Sequence, residues 1–146
     1  MKNEILEQAS KDIRLLSVRR QAIEGIRARI RLLDADVGAI GGSDFDRLKV
    51  KRSRNRHGRQ HTRLEQKERL QEQEGALLAI IEHTERVLQQ MHEDDALVLS
   101  SFYGDEAHRG EVVRRLGEQL HVSQTEIYRI RERALEEFAG RMGYIV

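Results

Sequence analysis

The sequence predicts an all-α fold, with a long N-terminal helical hairpin whose apolar stripe also suits a coiled coil, followed by a C-terminal helix-turn-helix bundle. Three observations carry the prediction. Proline is absent from the 146 residues, aromatics make up 4% and charged residues 35%, and no run alternates apolar with polar positions as strands do. Ala9, Leu16, Ile23, Ile30 and Val37 recur every seven residues. Residues 111–138, EVVRRLGEQLHVSQTEIYRIRERALEEF, hold two short helical patterns on either side of a break at His121 and Val122.

In chain order, residues 4–37 read as a helix. Ile5, Ile26 and Leu33 fill the alternate seam position of the heptad stripe, which Asp12 and Arg19 interrupt, and Gly25 weakens the helix. The stripe fits a helix packed on its own chain as well as it fits an intermolecular coiled coil, and a homodimer through the N-terminal helices is the expectation we carry forward. GAIGGS at 38–43 breaks the helix. Then come Arg47, Lys49, Lys51, Arg52, Arg54, Arg56, Arg59 and Arg63 with no acidic residue among them. Such a run repels itself, so a loop or frayed helix start is expected over about residues 38–62. It suits phosphate contact with DNA or RNA, because each neutralised phosphate releases counterions, and the plainer alternative is a solvated loop.

The helical pattern returns over residues 61–92, with Leu70, Leu77, Leu78, Ile81, Leu88 and Met91 as its stripe, and reads as the returning arm of the hairpin. Its first half is polar. Glu93, Asp94 and Asp95 suit the positive end of a new helix, in which Ala96, Leu97, Leu99 and Phe102 face the helix-turn-helix. Residues 104–110 read as a turn, and Tyr144 and Ile145 of the tail are expected to fold back onto the core. The domains drawn on these grounds are a helical hairpin at 1–92 and a helix-turn-helix domain at 93–146.

In the C-terminal domain, Ser123 followed three residues later by Glu126 is a capping-box signature. Gly117 falls where a small side chain lets two helices cross closely. Val113, Leu116, Leu120, Val122, Ile127, Ile130, Ala134 and Phe138 supply the apolar positions. LGEQLHVSQTEIYRIRERALEEF resembles the helix-turn-helix in the fourth conserved region of bacterial primary sigma factors, the part that reads the −35 promoter element, and DDALVLSSFYGD resembles the helix before it. A helical front half joined to such a module is similar to small phage-encoded transcriptional regulators of the autolysin-regulator and late-gene-activator type. The specific match covers roughly the last third of the chain.

A second helix opening at Ser123 and burying Ile127, Ile130, Ala134 and Phe138 presents Gln124, Thr125, Tyr128, Arg129 and, a turn later, Arg133 on its other face. The first residues of a recognition helix reach base edges. Arg129 suits guanine, Gln124 suits adenine, and Thr125 suits a thymine methyl or a phosphate. The resemblance places Gln124, Thr125, Tyr128 and Arg129 on the family's base-contacting positions. Gln124 stands where the family has arginine and Thr125 where it has glutamate, so the family's −35 preference does not carry over. Arg114 and Arg115 of the first helix are expected to face phosphates, or one of them to pair with Glu111 or Glu118.

Other classes find little support. With no cysteine there is no disulfide or thiolate metal site. No apolar run approaches membrane length, and MKNEILEQ is not a signal peptide, which makes a bacterial cytoplasm the expected location. His83 lies beside Glu82 and near Glu85, but no set has the spacing of a zinc protease, and GAIGGS lacks the lysine of a phosphate-binding loop. No cofactor and no enzymatic activity are expected. The expected function is a sequence-specific transcriptional regulator of phage or prophage type, binding double-stranded DNA and, through its front half, itself or RNA polymerase. The alternatives are a small terminase-like DNA-packaging adaptor, which would form a ring, and a helical protein-interaction module that never touches DNA.

Overall fold

The computed structural model describes residues 2–39, 56–104 and 108–144, with side chains for all of these except 36–39 and 56–61. Among the described residues there are six helices and no strand: α1 (Lys2–Arg14), α2 (Leu16–Ala39), α3 (Arg56–Gln90), α4 (Glu93–Gly104), α5 (Arg109–Leu120) and α6 (Gln124–Arg141). The all-α expectation holds. The N-terminal pattern, however, is not one helix, because Leu15 leaves helical geometry between α1 and α2 although its N–H still bonds to the Lys11 carbonyl at 2.8 Å. No glycine or proline marks the interruption. It lies between Asp12 and Arg19, the two residues that break the heptad seam, and their ion pair at 3.2 Å spans it.

Packing divides the chain into residues 1–20 with 80–146, and residues 21–79. In the first unit α6 packs against α1, α4 and α5, and α4 also packs against α1 and α5. Two apolar clusters do this. The C-terminal half of α6, through Ala134, Leu135, Phe138 and Ala139, meets Ala9 and Ile13 of α1, Leu99 of α4, Val87 of α3 and Met91 just after it. Its N-terminal half, through Ile127 and Ile130, meets Val98 and Phe102 of α4 and Val112, Val113 and Leu116 of α5. The boundary expected at residue 93 therefore falls inside the first cluster, which joins Val87 and Met91 to Leu99 and Phe138. Periodicity shows which face of a helix is apolar but not which helix covers it. Phe138 is wholly buried, and truncating such a ring costs about 3–5 kcal/mol.

The tail is held as expected. Tyr144 packs at the edge of the first cluster, and its hydroxyl donates to Asp12 Oδ2. Asp12 is buried, and Arg19 and Tyr144 satisfy its two carboxylate oxygens separately. That is how an acid is tolerated in an apolar seam. Ile145 lies outside the described residues.

In the second unit, Arg27 pairs with Glu74 at 3.5 Å and Asp34 with Lys67 at 2.9 Å. The two pairs are seven residues apart on each helix and run in opposite order, so these stretches of α2 and α3 are antiparallel. Ile23 is buried, while Ile26, Ile30, Leu33, Leu70 and Leu77 are half-buried.

Candidate nucleic-acid interface

The geometry of the candidate site starts at the turn between α5 and α6. His121, the residue after α5, takes the left-handed conformation with φ 57° and ψ 43°. Its N–H points to the Gly117 carbonyl, and the Val122 N–H donates to the same oxygen at 3.0 Å. This satisfies end-of-helix acceptors as glycine C-caps do, although histidine is a costlier residue there. A Cβ on Gly117 would lie 3.0 Å from the Val122 carbonyl oxygen. The small residue therefore lies against the turn backbone, rather than against the second helix as the spacing predicts.

Ser123 then caps α6. Its backbone is extended, its Oγ accepts the Glu126 N–H at 3.2 Å and its carbonyl accepts the Ile127 N–H at 3.1 Å. The Glu126 carboxylate lies 3.8 Å from Arg129 Nη1, one turn further on. His108 caps α5 in a similar way, its Nδ1 accepting the Gly110 N–H at 3.2 Å.

From this start the faces of α6 separate as the spacing predicts. Ile127, Ile130, Ala134 and Phe138 are buried, and Gln124, Thr125, Tyr128, Arg129 and Arg133 are exposed. The buried stripe is wider than expected, because Leu135 and Ala139 join it against α1, a partner the sequence did not reveal. Arg114 and Arg115 are exposed on α5.

Two side chains have partners that sequence reasoning missed. Arg133 Nη2 lies 3.3 Å from Asp95 Oδ1, which ties an expected groove residue to the first turn of α4. Tyr128 stands edge-on to Phe102, with ring centroids 5.9 Å apart, and the Arg131 guanidinium sits 5.2 Å from the Phe102 centroid and 5.4 Å from that of Tyr128. The three-residue spacing of Tyr128 and Arg131 was visible in the sequence. Their shared contact with Phe102 was not.

Charges of both signs run along α6, with Glu126, Arg129, Arg131 and Glu132 in its first half and Arg133, Glu136, Glu137 and Arg141 in its second. Lys2 of α1 pairs with the second half, with Nζ 2.8 Å from Glu136, and that hydrogen bond holds its ammonium above the ordinary lysine pKa. The open N-terminal end of the helix, where the dipole is positive and Arg129 is exposed, is the one suited to a polyanion.

The basic run cannot be placed beside this face. Arg47, Lys49, Lys51, Arg52 and Arg54 lie outside the described residues, as do the side chains of Arg56 and Arg59, and Arg63 is half-buried on α3. Among the described residues there is no group of three or more His, Asp or Glu arranged to hold a metal, and no helix is long and apolar enough to cross a membrane. Comparison with known proteins found no match to a family model, a curated protein or a solved structure.

Proposed function

We propose that the chain binds double-stranded DNA sequence-specifically, as a transcriptional regulator of phage or prophage type, with α6 entering the major groove. The observation that carries this reading is the exposed face formed by Gln124, Thr125, Tyr128 and Arg129 on the first two turns of α6, directly after a short capped turn and opposite a fully buried stripe. These side chains include a guanine-type reader, an adenine-type reader and a thymine-type reader. They also occupy the end of a helix that meets base edges in helix-turn-helix proteins.

In this reading Ser123 fixes where the helix starts, and Arg114 and Arg115 on α5 face phosphates. Arg133 joins them only by leaving Asp95. The front half of the chain is proposed to bring two copies together or to touch RNA polymerase. Selection of bound fragments from random duplex DNA, with a mass measurement of the free protein, tests the proposal. A regulator returns a defined site and a monomer, dimer or small oligomer. A ring of roughly eight or more copies would favour a packaging adaptor, and binding with no salt dependence or sequence preference would refute DNA recognition.

A further inference from the structure

We infer that Arg131 and Phe102 are positioning residues for Tyr128, and that the ring they hold is a specificity determinant that recognises a thymine through its 5-methyl group. The inference rests on the proposed groove-facing role of α6.

An exposed tyrosine ordinarily samples several rotamers, and ordering it on binding costs affinity. Tyr128 is 41% exposed yet contacted on its inner side by two groups. Phe102 meets it edge-to-face at 5.9 Å and is itself packed in the buried cluster of Val98, Leu116 and Ile127. Arg131 lies within cation–π distance of both rings and ties them together. The result is an aromatic surface fixed from the core side and open on the face shared with Gln124, Thr125 and Arg129. In the major groove, the one apolar group that a base edge presents is the C5-methyl of thymine. A pre-ordered apolar ring matches that group.

Two other roles are chemically distinct. One is a direct phosphate contact by Arg131, and the other a hydrogen bond between the Tyr128 hydroxyl and the DNA. Selection from random duplexes with the full chain, repeated for Arg131→Gln, Arg131→Lys and Tyr128→Phe, separates them when affinities are also measured across salt. Tyr128→Phe is expected to keep the thymine preference, because the ring remains. Arg131→Gln is expected to lose it at one base pair, leaving the other positions and the salt slope unchanged, and Arg131→Lys to retain part of it. Replacing that thymine with uracil should weaken wild-type binding several-fold and leave Tyr128→Ala unaffected.

The inference is overturned if Arg131→Gln keeps the wild-type preference, or if Tyr128→Phe abolishes it. It is also overturned if Arg131→Gln lowers the salt slope by about one with the preference intact, which is the signature of a phosphate contact. Should Arg131→Gln lose helix content, Arg131→Met decides, since an unchanged preference without the cation removes the positioning role. Failure of the wild-type chain to select any sequence would instead sink the groove reading itself, and is seen before any variant is compared.

Discussion

Arg133, on the outer face of α6, reaches 3.3 Å across to Asp95 in the first turn of α4. The acid is nearly buried and the arginine largely exposed. Asp95 also sits where a helix dipole favours negative charge. The pair therefore holds a cation of the proposed interface in a competing contact. Asp95→Asn removes a carboxylate near the DNA and releases Arg133. Duplex affinity should rise and the salt slope should steepen by up to about one, measured by anisotropy titration across salt. An exposed-side ion pair contributes little, so the stability loss should stay within about 1 kcal/mol in denaturant unfolding. Unchanged DNA affinity would mean that Arg133 is purely structural.

Gly117 and Gly25 make opposite predictions for the same substitution. Gly25 is exposed in α2, and an added Cβ there meets nothing within 4 Å. Gly25→Ala should stabilise the chain by about 0.5–1 kcal/mol through helix propensity. At Gly117 the added Cβ meets the Val122 carbonyl oxygen at 3.0 Å, in a turn already fixed by the Val122 N–H bond back to Gly117. Backbone yields less readily than a flexible side chain, so Gly117→Ala should cost about 1 kcal/mol or more, the propensity gain notwithstanding. Thermal melts of the two variants check the signs.

Tyr144 predicts an alkaline limit. Its phenol is held above the ordinary value of 10.0, first by burial and then by its hydrogen bond and proximity to the Asp12 carboxylate. A raised folded-state pKa means that the stabilisation is fully present below the unfolded pKa and is lost as pH rises through the folded one. Stability should therefore fall above about pH 10 in the wild type, and fall less steeply in Tyr144→Phe. At neutral pH the variant should be less stable by about 1 kcal/mol, since buried Asp12 loses a donor. Parallel alkaline curves for the two proteins would show that Tyr144 does not titrate in a coupled way.

What the sequence made legible was local. Ser123 marks the start of α6, the acidic trio 93–95 marks the start of α4, and Ile127, Ile130, Ala134 and Phe138 mark the buried side of α6 because their spacing follows the helix period. What was hidden depends on which helix lies opposite. Ala9 and Ile13 belong to the core around Phe138, a contact across more than a hundred residues that no periodicity specifies. The same holds for Asp12, which looked like a defect in a seam until Arg19 and Tyr144 were seen to satisfy it. In the candidate site, the exposed face followed from spacing, whereas the Asp95 contact of Arg133 and the Phe102 contact of Arg131 required the position of α4.

Arg129 is the sharpest test of base reading. Its side chain is 75% exposed, and it pairs with Glu126, one turn earlier at 3.8 Å, an arrangement that is easily exchanged for a base. Arg129→Ala should cost about 1–3 kcal/mol on the selected site and relax preference at one position, with little effect on random duplex. Equal losses on both would make it a phosphate contact.

Association through the front half turns on where apolar surface remains. The heptad stripe suggested Ile23 and Ile30 as the seam of a dimer. In the single chain Ile23 is already 4% exposed and Ile30 half-buried, so acidic substitutions there would test folding rather than association. Among the described residues, the large apolar side chains left open in the second unit are Leu32 on α2 and Leu64 on α3, at 65% and 62% exposure. Keeping them wet forgoes roughly 25 cal/mol per Å² of apolar surface that pairing would bury. For a dimer formed by this hairpin, Leu32→Asp combined with Leu64→Asp should yield a monomer with unchanged helix content and weaker binding to a two-half-site operator, because the two recognition helices are then no longer linked. Sedimentation velocity on wild type and variant decides it. A wild-type chain that remains monomeric at tens of micromolar, or a double variant that associates as before, removes the hairpin as a dimer interface and leaves a polymerase-contacting arm as the proposal to pursue.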